Sequence, residues 1–302
     1  MSENEGLIDA HHHAWNLDRR PQPWLEASGH EPLRRSFGPD VLRASATRTI
    51  ADRRLASTVV VQCVASVAET RELLALADDD SLIGAVVGWA DLSSPAVGDV
   101  LDELRAGPGG RHLRAVRHLV QDEPDPGWLQ RPVVERGLRA VAERGLAYDV
   151  LVRSHQLQQA IQLAERLPQL PLVLDHAGKP PVAERALDGW EQDVRRLAAH
   201  PQARCKVSGL VTEADHEKWT LDDIRPVWDV LLDAFGPDRL MFGSDWPVCV
   251  LAGGWNRWAA TVEELLDGCS AAETAAVLAE TASAFYRLRS PGNDSKEGTP
   301  CS

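Results

Sequence analysis

The sequence predicts a (β/α)8 barrel built as a single domain. Eight short, β-rich apolar runs alternate with eight longer runs whose apolar residues recur at helical spacing. The strand candidates are apolar throughout, as parallel strands covered by helices on their outer face require. The chain has 302 residues, a length that suits one such barrel. A doubly wound open sheet is the competing arrangement. It is weakened because the chain contains no G-x-G-x-x-G or G-x-x-x-x-G-K-[ST] phosphate loop.

In chain order, strands are expected at 7–13 (LIDAHHH), 57–65 (STVVVQCVA), 82–89 (LIGAVVGW) and 113–120 (LRAVRHLV). Further strands are expected at 146–153 (LAYDVLVR), 170–176 (LPLVLDH), 204–210 (RCKVSGL) and 239–245 (RLMFGSD). The helical patterns cover about 39–54, 68–78, 96–106, 130–144, 155–167, 183–199, 221–235 and 257–288. Leu157, Ile161, Ala164 and Leu167, for example, fall on one helical face, and the pattern stops at Pro168. Residues 14–38 form a long loop rich in Pro and Trp after the first strand, placed to act as a lid or a pocket wall. The barrel is expected over 1–288, and 289–302 (RSPGNDSKEGTPCS) reads as a disordered tail.

Composition narrows the function. A formal net charge of −13 argues against nucleic acid, which needs clustered Lys and Arg. No apolar run approaches the roughly 20 residues of a membrane helix, so no membrane association is expected. The opening residues Met1 to Gly6 are polar and acidic, unlike a signal peptide. The five cysteines are scattered without a C-x-x-C pair and read as reduced thiols in a cytoplasmic protein. Ten tryptophans stand against two tyrosines and four phenylalanines. Trp190, Trp219, Trp228, Trp255 and Trp258 fall in helix-like stretches and are expected to pack. Trp15, Trp24, Trp89, Trp128 and Trp246 fall at or just after strand ends, where an indole face can meet the C–H face of a sugar.

The first strand closes on His11, His12 and His13. Side chains alternate along a strand, so His11 and His13 share a face, with Asp9 one step deeper on it and His12 opposite. Two imidazoles at this spacing can hold one metal ion or flank one substrate. An affinity-tag remnant precedes a fold, whereas these histidines end a strand.

In such a barrel the active site lies at the C-terminal rim of the strands. Strand four carries Arg117 and His118 and runs into Gln121, Asp122, Glu123 and Asp125. Strand five ends at Arg153, with His155 beyond it. Strand six ends in Asp175-His176 and continues to Lys179, and strand eight ends in Ser244-Asp245-Trp246. A lone Asp after a strand caps a helix, and a lone His is satisfied by hydrogen bonds. Ionisable groups on five rims, above strand bodies almost free of them, point to one shared site.

These residues fall in motifs: D-A-H-x-H-x-W at 9–15, V-R-H-x-V-x-D-E-P-D-P-x-W-L at 116–129, L-D-H-x-G-K-P at 174–180, K-x-S-G-L at 206–210 and F-G-S-D-W-P-V-C at 242–249. Together they resemble the amidohydrolase superfamily over about residues 7–288. Within it they most resemble the branch of sugar-lactone hydrolases that includes L-fuconolactonase and L-rhamnonolactonase. The H-x-H pair and the final-strand Asp indicate the superfamily, whereas D-E-P-D-P and S-D-W-P-V-C point to the branch.

The resemblance implies that His11, His13 and Asp245 surround the reacting centre, with His176 matching the sixth-strand histidine. Two-metal members bridge their ions with a carboxylated lysine from strand four. The first lysine here is Lys179, and no Glu lies within strand four, so at most one metal is expected. Its ligands would be His11, His13 and Asp245, a donor set that suits zinc with an open water position, and His176 would be a fourth ligand or a hydrogen-bond donor. Metal-free catalysis, with Asp245 alone deprotonating the water, is the other arrangement.

The expected reaction is hydrolysis of a sugar lactone, with Asp245 as base and then acid and His176 beside it. Arg117, His118, Arg153, His155 and Lys179 would bind substrate hydroxyls or a carboxylate. Trp15, Trp89, Trp128 and Trp246 would wall the pocket. The expected partner is a small-molecule lactone or sugar acid, and a homo-oligomer is compatible with the sequence. A metal-dependent, non-oxidative decarboxylase of the same superfamily is the alternative, and a non-catalytic binding protein on this scaffold is the third reading.

Overall fold

The computed structural model describes residues 6–288, so the expected tail at 289–302 lies outside the described residues. Eight strands follow one another in chain order, each parallel to the next. They are β1 (Leu7–His12), β2 (Leu55–Val61), β3 (Ile83–Gly88), β4 (Leu113–His118), β5 (Ala147–Val150), β6 (Leu172–Leu174), β7 (Ala203–Val207) and β8 (Leu240–Phe242). A parallel bridge between His12 and Trp246 brings β8 back to β1. The expected (β/α)8 barrel is the observed fold.

The covering helices are α1 (Pro39–Ser45), α2 (Val67–Asp79), α3 (Val97–Ala106), α4 (Pro132–Glu143) and α5 (Leu157–Arg166). They continue with α6 (Asp188–Ala198), α7 (Leu221–Phe235), α8 (Gly254–Leu265), α9 (Ala271–Ala275) and α10 (Thr281–Tyr286). Local chemistry sets several starts. Ser66 accepts from Glu69 N–H at α2, Ser270 and Glu273 form a capping box at α9, and Pro132 opens α4. No helix among the described residues is long and apolar enough to cross a membrane.

Two apolar layers hold the barrel. Inside it, small residues such as Ala10, Val59, Val61, Ala85, Ala115 and Val173 fill a space too narrow for larger ones, joined by Met241. Ala282 and Tyr286 of α10 belong to the same cluster, so the last helix plugs one end. Outside, Val60, Val86, Val116, Leu174, Val207 and Phe242 meet Leu73, Leu101, Leu138, Ile161, Val194 and Trp228 of the helices.

Several boundaries differ from expectation. β6 and β8 stop short of His176 and Asp245 because those residues sit at φ 53° and 56°, outside the β region. The long helical pattern at 257–288 divides into α8, α9, a π-helical turn at Ala276–Glu280 and α10, with Gly268 at φ 96° in the first break. The first helical pattern ends at Ser45, where Ala46 leaves the helical region at ψ 65°, and Ala51 and Asp52 turn the chain farther on at φ 48° and 62°.

β1 also corrects the expected placement of Asp9. Its register with β2 runs Asp9↔Thr58 and then His12↔Val60, so β1 carries an extra residue. Such a bulge breaks the alternation of faces. Ala10 belongs to the interior cluster, and Asp9 turns outward to accept from Trp255 Nε1 of α8 at 3.3 Å. His11 and His13 still face Asp245 together, while His12 turns away to Thr58.

The 14–38 loop is tied down at its base by mutual backbone hydrogen bonds of Trp15 and Phe37, both 2.9 Å. Farther out, Gln22 donates to Glu69 at 3.3 Å and Arg20 pairs with Glu72 at 2.8 Å. It is a packed wall over the β1–β2 side of the rim.

Gly137 in α4 tests helix-to-barrel packing. A Cβ there would lie 2.1 Å from the carbonyl oxygen of Leu92. Helix propensity alone favours Ala over Gly by about 1 kcal/mol, but this close approach reverses the sign. Gly137→Ala is expected to lower unfolding free energy by about 1–3 kcal/mol in urea titrations; equal or greater stability refutes the packing assignment.

Candidate active site

Asp245 stands just beyond β8 and is 4% exposed. Its Oδ1 lies 3.5 Å from His13 Nε2, 3.8 Å from His176 Nε2 and 3.9 Å from His11 Nε2. The four expected central residues are therefore brought together. Burial pushes the Asp245 carboxyl up. His176, then His13 and the Lys179 charge, pull it down further, leaving it below its ordinary value and ionised at neutral pH. Burial conversely holds His176 down at about 4 and His11 well below its usual range, so both rings are neutral.

The left-handed backbone at Asp245 is fixed from both sides. Its N–H donates to His11 O at 2.8 Å, and its carbonyl accepts from Cys249 N–H at 3.0 Å. Ser244 Oγ accepts from Trp246 N–H at 2.9 Å, and Asp9 Oδ1 accepts from Ser244 N–H at 2.8 Å. The outward-facing Asp9 thus supports the turn that aims Asp245.

The partner of each second ring nitrogen decides what the imidazoles can do. His13 Nδ1 is 2.8 Å from the carbonyl of Val61, an acceptor only, so Nδ1 carries the proton. The lone pair of His13 Nε2 then faces the Asp245 carboxylate. Two lone pairs at 3.5 Å call for a proton donor or a cation between them. His176 Nδ1 is 2.9 Å from Ser208 Oγ. Gly209, at φ 62°, makes room for this ring, since a Cβ there would lie 2.5 Å from His176 Nδ1.

Beneath the imidazoles lies a buried charge cluster. Lys206 Nζ is 2.6 Å from Asp149 Oδ2, 3.0 Å from Asp175 Oδ1 and 3.1 Å from His11 Nδ1. Arg117 donates to Asp175 Oδ2 at 3.1 Å and to both the side-chain oxygen and the carbonyl of Gln62. Tyr286 donates to Asp149 Oδ2 at 2.8 Å. Burial would raise Asp175, but Lys206, His11 and Arg117 hold it well below the usual carboxylate range. An ammonium and a guanidinium face two carboxylates, so the cluster is balanced.

Other expected site residues fall into groups. His118 stacks on Trp128 with centroids 3.9 Å apart and planes 5° apart, accepts from Trp89 Nε1 at 3.1 Å and meets Glu123 at 2.6 Å. Trp89 can only donate, so the His118 proton is on Nε2, directed to Glu123. Arg153 and His155 are exposed. Lys179 pairs with Glu213 at 3.2 Å. Arg117, only 3% exposed, is committed to Asp175 and Gln62 below the mouth. Trp15 and Trp246, both buried, each set an edge against Phe37 of the 14–38 loop.

Asp149 and Glu213 are not singled out by the sequence, Lys206 and Ser208 enter only as letters of the K-x-S-G-L motif without a role, and the strand bodies are less free of charge than expected. The signal was there: an acid inside AYDV of β5 and a lysine inside RCKV of β7 interrupt apolar strands. Their opposite signs make them candidates for one another.

Two groups among the described residues bring three potential metal ligands within 4.8 Å of one another: His11, His13 and Asp245, and His11, Asp175 and His176. The first fits a metal ion by its donor set and by the inward lone pair of His13. The four cysteines among the described residues are unpaired, and Cys63, Cys205 and Cys249 are buried.

The chain is similar to known proteins over nearly its whole length. The amidohydrolase family model matches residues 8–288. The chain is 40% identical over 297 residues to an L-fucono-1,5-lactonase of Burkholderia multivorans, covering 95% of this chain and 97% of that protein. It is 36% identical over 291 residues to an L-fucono-1,5-lactonase of Burkholderia ambifaria, with coverage of 95% and 97%. Among solved structures, an amidohydrolase from Burkholderia multivorans with bound zinc has a TM-score of 0.87 and 40% identity, covering 94% of this chain and 100% of that one.

The buried histidines link the site to pH. Burial lowers His12 from 6.5 to about 3, so the unfolded chain takes up a proton that the folded ring refuses. His12 therefore contributes stability that is present above about pH 6.5 and is lost as the pH falls toward 3. Urea titrations of His12→Gln between pH 7 and 4 are expected to show a shallower loss than wild type. An unchanged slope refutes a buried neutral His12.

Proposed function

The chain belongs to the amidohydrolase family, and from that premise we propose that it hydrolyses an aldono-1,5-lactone of the L-fuconate type by adding water to the ring carbonyl. One observation carries this reading: a single buried carboxylate, Asp245, faces three imidazoles above a barrel core whose other charges are already paired. The relatives named as L-fucono-1,5-lactonases support the substrate class.

The reacting water sits between Asp245 Oδ1 and His13 Nε2, donating one hydrogen to each. Asp245 takes a proton as the water oxygen bonds to the carbonyl carbon. The resulting oxyanion is stabilised by N–H groups of His176 and His11. Collapse breaks the bond to the ring oxygen, and protonated Asp245 returns its proton to that oxygen. The product is the open hydroxy acid, which ionises to solvent, and Asp245 is a carboxylate again. His11, His13 and Asp245 are the residues that would hold one zinc ion, with His176 alongside. When bound, that ion would supply Lewis-acid polarisation at the reacting centre.

Lys179, Arg153 and His155 are proposed to meet the sugar hydroxyls. The stacked His118–Trp128 pair and Trp89 wall the pocket against the C–H face of the ring. Trp15 and Trp246 back that wall, each against Phe37, and Arg117 holds Asp175 rather than the substrate.

Acid release from a panel of aldonolactones tests the assignment. Wild type is expected to prefer L-fucono-1,5-lactone, and Asp245→Asn to reduce kcat by about 10²–10⁴-fold. A wild type inert on every lactone, or a fully active variant, would falsify the reading. Release of carbon dioxide from aromatic or enoic acids would move the assignment to the decarboxylase alternative. Elemental analysis of purified protein should find no more than one zinc per chain; two would refute a single occupied ligand group.

A further inference from the structure

We propose that the Lys206 ammonium is a built-in cation seated at the His11–Asp175 pair of the inner His11–Asp175–His176 group in place of a metal ion, leaving His11, His13 and Asp245 as the only such group among the described residues open to one. The inner group has the composition of a metal site and is fully buried. Lys206 reaches it from β7, 3.1 Å from His11 Nδ1 and 3.0 Å from Asp175 Oδ1, while Asp149 anchors the same nitrogen at 2.6 Å. Asp149 Oδ2 and Asp175 Oδ1 accept from the ammonium, and the His11 Nδ1 proton turns to Asp175 Oδ1 when Nε2 holds an outer ion. Lys206, Asp149 and Asp175 are each 0% exposed.

Charge and distance make the two occupants exclusive. A metal ion bound to His11 Nδ1 and Asp175 Oδ1 at about 2.0–2.2 Å would stand within contact distance of Nζ. The repulsion between two cations that close is unscreened in the barrel interior. With Lys206 present the cluster is neutral, because Arg117 supplies the second positive charge. Without it, Asp149 and Asp175 exceed Arg117 by one charge, and the vacated space adjoins an imidazole nitrogen and a carboxylate oxygen. The lysine thus limits a barrel with two overlapping ligand groups to one ion.

Crystals of Lys206→Ala soaked in Zn²⁺ are expected to show an anomalous peak joined to His11 Nδ1 and Asp175. Zinc should also raise the Tm of this variant by more than it raises that of wild type, in which only the outer group is open. Lys206→Arg keeps the charge and should show no inner peak. Absence of the peak in a folded Lys206→Ala protein overturns the proposal. If that variant does not fold with or without zinc, wild-type crystals soaked in Zn²⁺ decide it: an ion between His11 Nδ1 and Asp175 overturns it, and none there supports it. Neither readout involves a substrate, so this inference and the lactonase reading can fail independently.

Discussion

Strands β1 and β8 meet through the same backbone that carries the reactive side chains. Asp245 N–H donates to His11 O, and His13 N–H donates to Trp246 O at 2.7 Å. The barrel is closed, and the carboxylate is set against the imidazoles, by one pair of hydrogen bonds. A net stability of about 1 kcal/mol per bond would be unremarked elsewhere. At this seam the bonds also hold Asp245 at φ 56°, a conformation that costs an L-residue about 1–2 kcal/mol. The left-handed turn swings the side chain off the strand and over the mouth. A regular strand end would leave Asp245 in the wall, so closure and catalytic geometry are one constraint.

The second constraint is charge below the mouth. Arg117 of β4, Asp149 of β5, Lys206 of β7 and Asp175 just beyond β6 cross the barrel interior, at the level where small apolar residues give way to the site. Buried ion pairs contribute little net stability, because desolvation offsets their attraction. Their value here is orientation. Lys206 and Asp175 bracket His11 Nδ1 at 3.1 and 3.3 Å, so the ring cannot turn without breaking both contacts. His13 is fixed by the Val61 carbonyl and His176 meets Ser208, so each imidazole offers the mouth a defined nitrogen. A site preorganised in this way needs little rearrangement as charge develops.

The barrel was legible because alternating apolar runs have few solutions in a chain of this length. The rim set was legible because His11, His13, His176 and Asp245 are reactive types just beyond strands. What escaped notice depends on pairing across the barrel. Asp149 in β5 and Lys206 in β7 look like faults in apolar strands until the interior places them 2.6 Å apart. The bulge in β1 left no mark on the pattern, since D-A-H-H-H alternates equally well in the regular register that would put Asp9 inside. The early ends of β6 and β8 likewise reflect positive φ at His176 and Asp245, which tertiary hydrogen bonds impose and composition does not signal.

The helix tryptophans show how far the site extends into the packing. Trp190 of α6 donates to the carbonyl of Ala177, next to His176, at 2.7 Å. Trp258 of α8 donates to Gly243 O at 2.9 Å, two residues before Asp245, and Trp255 reaches Asp9 under Ser244. Each indole buries a large apolar face between helix and strand while its N–H satisfies a polar group where a strand leaves regular hydrogen bonding. An aliphatic side chain could fill the same volume but would leave that carbonyl or carboxylate unpaired in a dry layer, a loss of about 1–3 kcal/mol. The abundance of tryptophan thus follows from the chemistry at the rim. Strands that end in left-handed turns expose backbone acceptors to the helix layer, and indole is the apolar side chain that can fill that layer and still donate to them.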